Sequence, residues 1–190
     1  RDALIVGGGL IGPATALALA EAGLSVTLVD ALPLETRQAP DFDGRAYNLS
    51  RATQAFLAVL GVWPAVEAEA QPVARIRIED ARPGQRDAPA LLHFDHAELD
   101  DPGASRILED RFLRNALLAA TLAHPRIETR APVSVAETRE TPAVAEAVTE
   151  AGEVLRASVL IACDGRESPI ARRAGIRRVS WGYDQTGLVS

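Results

Sequence analysis

The stretch ALIVGGGLIGPATALALAEAGLSVTLVD, from Ala3 to Asp30, decides the fold of this chain. It begins with a short apolar run that is typical of a buried strand. The glycines that follow, Gly7, Gly9 and Gly12, have the spacing G-x-G-x-x-G. A segment rich in the strong helix formers Ala and Leu comes next, ends at a glycine, and is followed by a second apolar run that finishes on an acid. This order predicts a complete β-α-β unit of the dinucleotide-binding kind.

Each glycine of this turn has a physical role. Gly7 permits the tight turn out of the strand, Gly9 lets a pyrophosphate approach the backbone, and Gly12 lets the helix pack close to the sheet. The free N–H groups at the start of the helix attract phosphate. Asp30 can accept both hydroxyls of an adenosine ribose, at about 1.5–3 kcal/mol for each bond to the charged group. This unit alone does not separate FAD from NAD, and an α/β turn without a ligand is the alternative.

The composition excludes several kinds of protein. The chain has 190 residues, enough for one domain or slightly more, and its net charge of −6 argues against a nucleic-acid partner. No apolar run reaches the ~18 residues that a membrane-spanning helix needs. Cys163 is the single cysteine, which rules out an internal disulfide and fits a reducing compartment. His93 and His96 have no third ligand nearby, so no metal site is predicted.

The rest of the chain predicts an α/β fold, a Rossmann-like doubly wound parallel sheet with an inserted antiparallel β-meander. The parallel strands are expected at 3–6, 25–29, 127–130 and 158–163. The meander is expected between residues 133 and 156, before the last parallel strand. Ligands of such sheets bind at the carboxyl ends of the strands. The glycine turn, Asp30 and the pair Asp164–Gly165 all fall at such ends, which predicts one shared site.

Helices and a strand pair are predicted outside the sheet. Ser50 is expected to cap a helix that runs to about Leu60 and places Phe56 on its apolar side. A second helix is expected to open at Glu109 or Asp110 and to end before the His-Pro pair at residue 124. The remaining predictions are a loop at 31–44, paired strands at 73–80 and 91–95, and a short helix at 169–173.

Four stretches make the whole chain resemble the N-terminal part of the FAD-dependent aromatic hydroxylases, the p-hydroxybenzoate-hydroxylase-like flavoprotein monooxygenases. They are GGGLIG with Asp30, DGRAYNLSRATQAFLAVLGVW at 43–63, EDRFLRNALL at 109–118, and CDGRESPIARRAGI at 163–176. The subgroup that the chain is most similar to is the 2-polyprenyl-6-methoxyphenol hydroxylases of ubiquinone synthesis. A fifth stretch, WGYDQTGLV at 181–189, is similar to the entry into the family's substrate domain.

The resemblance implies FAD as the cofactor, with NADH or NADPH as co-substrate and O2 as oxidant for hydroxylation of a polyprenyl phenol. Beyond the glycines and Asp30, it implies further contacts with the cofactor. Arg45 would contact the flavin phosphate or the isoalloxazine side, and Arg111 would reach the pyrophosphate and ribityl region. The backbone of Val135 would meet the adenine, and Asp164 with Gly165 would lie near the ribityl–pyrophosphate link. The alternative is structural, with each arginine paired to a neighbouring carboxylate and Asp164 serving as a turn residue. No catalytic residue is predicted, because the cofactor carries the hard chemistry.

The resemblance also implies a domain organisation and a cellular setting. Residues 1–178 would form a discontinuous FAD-binding domain, with 73–108 available to a substrate-side sheet, and 179–190 would begin a truncated substrate domain. The chain starts at Arg1 and has no Met, so we expect a piece of a longer protein. The expected partners are a lipid-tailed phenol and other ubiquinone-biosynthesis enzymes, in the cytoplasm with a peripheral contact at the inner membrane. An NAD-dependent Rossmann dehydrogenase and a non-catalytic module of a hydroxylase assembly remain as alternatives.

Overall fold

The computed structural model describes residues 1–38, 41–80, 89–95 and 105–186. The strands are β1 (Ala3–Val6), β2 (Val26–Val29), β3 (Ala46–Ser50), β4 (Gln71–Pro72), β5 (Arg75–Glu79), β6 (Ala90–Asp95), β7 (Ser105–Glu109), β8 (Ile127–Arg130), β9 (Val135–Glu140), β10 (Ala145–Thr149), β11 (Val154–Ala157) and β12 (Val159–Ala162). The helices are α1 (Ile11–Glu21), α2 (Leu34–Arg37), α3 (Arg51–Val59), α4 (Trp63–Val66), α5 (Asp110–Ala123) and α6 (Pro169–Arg173), with a 3-10 turn at Glu67–Glu69.

A four-stranded parallel sheet in the order β12-β1-β2-β8 forms the centre of the molecule. Ala3 lies opposite Val159 on one side and opposite Val26 on the other. Every residue of β1 and β2 is buried, as their unbroken apolar sequences predict. The predicted α/β class with a Rossmann-like parallel sheet is confirmed, and the carboxyl ends of all of these strands meet at one edge.

The two faces of this sheet are covered by different layers. Ala3 and Ile5 point toward α1, where they pack against Ala16 and Ala20. Leu4, on the opposite face, packs in a cluster with residues of the antiparallel sheet β11-β10-β9 and of α6. The predicted meander is therefore confirmed, and it supplies the second covering layer of the central sheet.

A third block, made of the antiparallel sheet β3-β7-β4 with α3, α4 and α5, holds the largest buried cluster. The sequence did not predict β3 or β7 as strands. Each has a single buried residue, Leu49 in β3 and Leu108 in β7, so neither has a strong alternating pattern. Strands β5 and β6 form a separate antiparallel pair, as predicted.

Two local predictions are wrong. Phe56 does not face the core but is 45% exposed, because the apolar side of α3 is centred on its buried neighbour Leu57. The predicted loop at 31–44 contains α2, which follows Pro33 and ends at Arg37. A proline just before the helix and an arginine in its last turn both suit a short helix. The Ser50 cap, which accepts a hydrogen bond from the Thr53 N–H at 3.2 Å, and the start of α5 at residue 110 are confirmed.

Within the described ranges, no helix combines the length and the apolar character needed to cross a lipid bilayer.

Candidate dinucleotide site

A cavity of about 490 Å³ lies at the carboxyl ends of β1, β2 and β12. Its volume falls in the range of about 300–1,000 Å³ that is usual for ligand sites. The predicted site residues that line it are Gly7, Gly9, Asp30, Val135, Asp164 and Gly165. We call this cavity the dinucleotide cleft. The fold therefore brings together residues from the first turn, the second strand, the meander and the last parallel strand.

The glycine turn is shaped by close backbone contacts. Gly7 has a φ of +114°, and a Cβ there would lie 2.1 Å from the carbonyl oxygen of Cys163. A Cβ on Gly12 would lie 1.8 Å from the carbonyl oxygen of Gly7, so α1 can start this close to β1 only without a side chain. A Cβ on Gly9 would meet nothing within 4 Å. Gly9 thus adjoins open space at the start of α1, where N–H groups favour an anion.

Asp164 lies directly beside this turn, since its backbone nitrogen would be 2.9 Å from a Cβ on Gly7. Its Oδ2 accepts a hydrogen bond from the Ile170 N–H at 3.2 Å and so helps to begin α6. Its Oδ1 is buried and has no hydrogen-bond partner among the residues that the structure describes. A buried acceptor without a donor is costly, so a ligand hydroxyl is the kind of group that this position suits.

Asp30 is 5% exposed and is already held by its neighbours. The Leu32 N–H donates to Oδ1 at 2.8 Å. Arg37 makes a bidentate contact, in which Nε donates to Oδ2 at 2.7 Å and Nη2 donates to Oδ1 at 2.8 Å. A Cβ on Gly8 would lie 2.0 Å from Oδ2, so the carboxylate rests on the bare backbone of the glycine turn.

Gly8 and Arg37 are functional candidates that the sequence analysis missed. Gly8 stands outside the G-x-G-x-x-G spacing, and its contact with Asp30 depends on how β1 and β2 align. Arg37 lies in a stretch predicted to be a loop, and it lines the cleft together with Asp30. The only available signal was an arginine shortly after the ribose-binding acid.

Cys163 also lines the cleft, at the end of β12. Burial raises the pKa of its thiol, a hydrogen bond with Thr15 opposes this, and the charge of Asp164 adds to the rise. The thiol therefore stays protonated at neutral pH, and Cys163 contributes to the cleft as a small packing residue.

Arg45 and Arg111 are not among the residues that line the cleft. Arg45 donates from Nε to Asp43 Oδ2 at 2.9 Å, and this contact lowers the pKa of Asp43 to about 2. Arg111 donates from Nε to Glu109 Oε2 at 2.6 Å, and its guanidinium lies 4.7 Å from the ring centre of Phe112. Both arginines thus make the neighbouring ion pairs that the sequence offered as the alternative. Their contact with a cofactor remains a prediction.

Arg45 also reaches a polar group centred on the buried Asp110, which we call the Asp110 cluster. Asp110 is 2% exposed. Tyr47 donates from its hydroxyl to Oδ1 at 2.8 Å, and Arg114 Nη2 lies 2.9 Å from Oδ2, with Arg45 Nη2 at 3.5 Å. Burial and the hydrogen bond to Asp110 both raise the pKa of the Tyr47 phenol.

The cleft fits the ADP half of a dinucleotide on its own chemistry. It offers open space at a helix start beside Gly9, a buried acid at the end of β2, and an unpaired acceptor on Asp164. These are complements to a diphosphate, a ribose and a polyol chain.

Comparison with known proteins agrees with this fit. The family model described as FAD binding domain matches residues 1–187. Ubiquinone hydroxylase UbiL of Rhodospirillum rubrum is 35% identical over 99% of this chain and 42% of its own length. The 3-demethoxyubiquinol 3-hydroxylase of Escherichia coli is 34% identical over 97% of this chain and 46% of its own length. The chain thus spans less than half the length of these relatives.

A solved structure gives the same fold. The p-nitrophenol 4-monooxygenase PnpA of Pseudomonas putida superposes with a TM-score of 0.74 over 92% of this chain and 43% of that protein, at 22% identity. The resemblance to hydroxylases of the ubiquinone pathway is confirmed by the two sequence relatives. On the family match, which covers nearly all of its residues, the chain belongs to the FAD binding domain family, and its cofactor is FAD.

Proposed function

We propose that this chain is the FAD-binding part of a flavin-dependent monooxygenase that hydroxylates a polyprenyl phenol in ubiquinone biosynthesis, with NAD(P)H and O2. The observation that carries the proposal is the meeting of Gly9, Asp30 and Asp164 around one cleft. The relatives named as ubiquinone hydroxylases support the substrate class.

The residues of the cleft divide the cofactor between them. Gly9 and the start of α1, which includes Gly12, would hold the pyrophosphate, because the space beside Gly9 is open to the first N–H groups of the helix. Gly7 would contribute the shape of the turn, since its own N–H donates to the Val29 carbonyl at 2.8 Å. Asp30 would hold the adenosine ribose, and the backbone of Val135 would meet the adenine.

The flavin end of the cofactor involves the remaining predicted residues. Asp164 and Gly165 would face the ribityl–pyrophosphate link, where the unpaired Oδ1 can accept a hydrogen bond from a hydroxyl group. Arg45 and Arg111 would reach the flavin side after leaving Asp43 and Glu109. When bound, FAD would supply the redox chemistry, taking a hydride equivalent from NAD(P)H and activating O2.

The proposed substrate carries a lipid tail, so the proposal includes a cytoplasmic protein with a peripheral contact at the inner membrane and with other enzymes of the pathway. Exposed aromatic and aliphatic side chains lie near the end of the described chain, where the substrate domain is predicted to begin: Ile176 at 61%, Val179 at 84%, Trp181 at 69% and Tyr183 at 73% exposed. Arginines at 172, 177 and 178 flank them and would suit an anionic surface, with a solvated face as the alternative. Arg173, beside them, lines the cleft and donates to the Ala136 carbonyl at 2.7 Å.

Titration with FAD tests the proposal. The chain should quench and shift the flavin signal of FAD, and FMN, which lacks the AMP part, should bind far more weakly because the cleft recognises the adenosine and the diphosphate. We expect weak FAD binding and no turnover from these 190 residues, and NAD(P)H-dependent phenol hydroxylation from a protein that contains them. Tight NAD binding without FAD affinity would instead favour the dehydrogenase alternative.

A further inference from the structure

Asp30 has less hydrogen-bonding capacity than a free carboxylate. A carboxylate has about four acceptor positions, two on each oxygen. The Leu32 N–H and Arg37 Nη2 occupy Oδ1, and Arg37 Nε occupies one position on Oδ2. At most one position therefore remains, on Oδ2, which Arg37 Nη2 also approaches to 2.6 Å. With the Arg37 contact in place, Asp30 alone cannot accept both hydroxyls of a ribose.

Arg37 supplies what Asp30 lacks. Its Nη1 has no hydrogen-bond partner within the described part of the chain, and the side chain lines the cleft with 24% of its surface exposed. A hydroxyl group both donates and accepts. An acceptor on Asp30 next to a donor on Arg37 is therefore the complement of two neighbouring hydroxyls.

The attachment of α2 directs this arginine to the site. No residue of α2 is fully buried, and Leu34 is its one partly buried apolar side chain. Arg37 ties this helix to Asp30 at the end of β2, and its Nη2 lies 2.6 Å from Oδ2. Since the guanidinium has a planar fork that matches the carboxylate, the pair fixes both side chains in one orientation.

We propose that Arg37 is a specificity-determining residue of the nucleotide site, and that the Asp30–Arg37 pair, rather than Asp30 alone, recognises the adenosine ribose. One ribose hydroxyl donates to Asp30 Oδ2, and the other accepts from the Arg37 guanidinium. This inference rests on the proposed FAD-binding function and deepens it.

The test measures binding of ADP, 2′-deoxy-ADP and 3′-deoxy-ADP to the wild-type chain and to Arg37→Met by titration calorimetry. Methionine keeps much of the bulk of the stem but has no donor. In the wild type, removal of either hydroxyl should weaken binding about tenfold, as expected for hydrogen bonds with charged groups. In Arg37→Met one hydroxyl should lose its donor, so the penalty for one of the two deoxy analogues should fall to about twofold or less while Asp30 keeps the penalty for the other. The variant also frees acceptor positions on Asp30, and their use by both hydroxyls would appear as unchanged penalties.

Two further variants separate recognition from a structural role. Arg37→Lys keeps the charge without the fork and should restore part of the lost discrimination. Arg139→Met is the matched control, because Arg139 makes the same bidentate contact, through Nε and Nη2, with Glu137 away from the cleft. It should leave the affinity ratios of ADP to both deoxy analogues unchanged.

The outcomes are distinguishable. If Arg37→Met weakens the binding of all ligands equally, the arginine has a structural role only. If the deoxy penalties are unchanged, or if ADP binds more tightly, the arginine merely competes with the ribose for Asp30. Each of these results overturns the inference and leaves the proposed FAD-binding function standing. A wild-type chain that binds neither ADP nor FAD overturns the proposed function, and this inference with it.

Discussion

The dinucleotide cleft and the Asp110 cluster are built by opposite means. The cleft is formed mainly by backbone, with glycines placed where a Cβ would collide with a carbonyl oxygen at 2.1 Å or less. The Asp110 cluster is formed by long polar and charged side chains that gather around a buried carboxylate, whose Oδ1 accepts from Tyr47 and whose Oδ2 lies within ion-pair distance of Arg114 and Arg45. Each region holds a buried carboxylate oxygen without a hydrogen bond among the described residues, but only the first places it beside open space for a ligand, whereas in the second Arg45 and Arg114 already pair with carboxylates.

This difference separates two kinds of site prediction. A glycine's role is fixed by where the chain must turn, so motif spacing places it reliably. An arginine's role depends on which of several carboxylates its flexible side chain reaches. The contrast can be tested by variants of each region.

The largest effect is expected from Gly7→Ala. The added Cβ would meet the Cys163 carbonyl, and the positive φ would be strained as well, so we expect a loss of about 2–6 kcal/mol in the free energy of unfolding. Urea denaturation measures this loss. Gly9→Ala is the matched control, because its Cβ meets no atom within 4 Å; it should unfold like the wild type yet bind FAD more weakly. Similar stability losses in both variants would contradict this account of the turn.

Asp164→Asn should weaken FAD binding by about 1.5–3 kcal/mol, or roughly tenfold or more, because a charged acceptor is lost. Asparagine can still accept from the Ile170 N–H, so the start of α6 should be kept. Fluorescence titration measures the affinity, and circular dichroism checks the fold. Glu167→Gln, a few residues away with 81% of its side chain exposed, should bind FAD like the wild type. An unchanged affinity in Asp164→Asn would leave Asp164 as a turn residue only.

Asp43→Asn should tighten FAD binding modestly if Arg45 contacts the cofactor, because the arginine would no longer have to leave its carboxylate. The pKa of Asp43 lies below its ordinary value of 3.8, so the pair is present above that pH and is lost as the pH falls toward about 2. FAD affinity measured at neutral pH is therefore the correct comparison. Glu137→Gln, which frees Arg139 on the meander, serves as the control. No change in Asp43→Asn would assign Arg45 to the Asp110 cluster alone.

The smallest effect concerns proton binding by Tyr47. The chain has 2 tyrosines, so Tyr183→Phe isolates the signal of Tyr47 in an ultraviolet titration. We expect ionisation above the ordinary pKa of 10.0, because burial and the Asp110 carboxylate disfavour the phenolate. The folded state binds this proton more tightly, so its contribution to stability is complete below pH 10 and declines as the pH rises through the folded-state pKa. A midpoint at or below the ordinary value would mean that Tyr47 is not buried against Asp110.

The sequence was sufficient for the central sheet and for the backbone part of the site. Apolar runs identify β1, β2 and β12, and the turn glycines follow from steric requirements that act within a few residues. The strands β3 and β7 were missed because each is defined by its partner: Tyr47 lies opposite Leu108, and neither segment shows a strong period of its own.

Side-chain partners were harder to predict. Arg37 was missed because its role requires the bend that brings α2 back to the end of β2. Gly8 was missed because its neighbour is a carboxylate that arrives from another strand. Both contacts join residues that the β-α-β unit brings together only after it has folded.

The pairing of β1 with β12 has a consequence for biosynthesis. Ala3 aligns with Val159, so the first strand must wait for more than 150 residues of synthesis before its neighbour exists. At about 5–20 residues per second, this interval lasts roughly 8–30 s. One edge of β1 stays open for that time, and such an edge can pair with other chains. The nascent N-terminal unit is therefore a point at which a ribosome-associated chaperone would protect the product, and slow translation of the middle of the message would prolong its exposure.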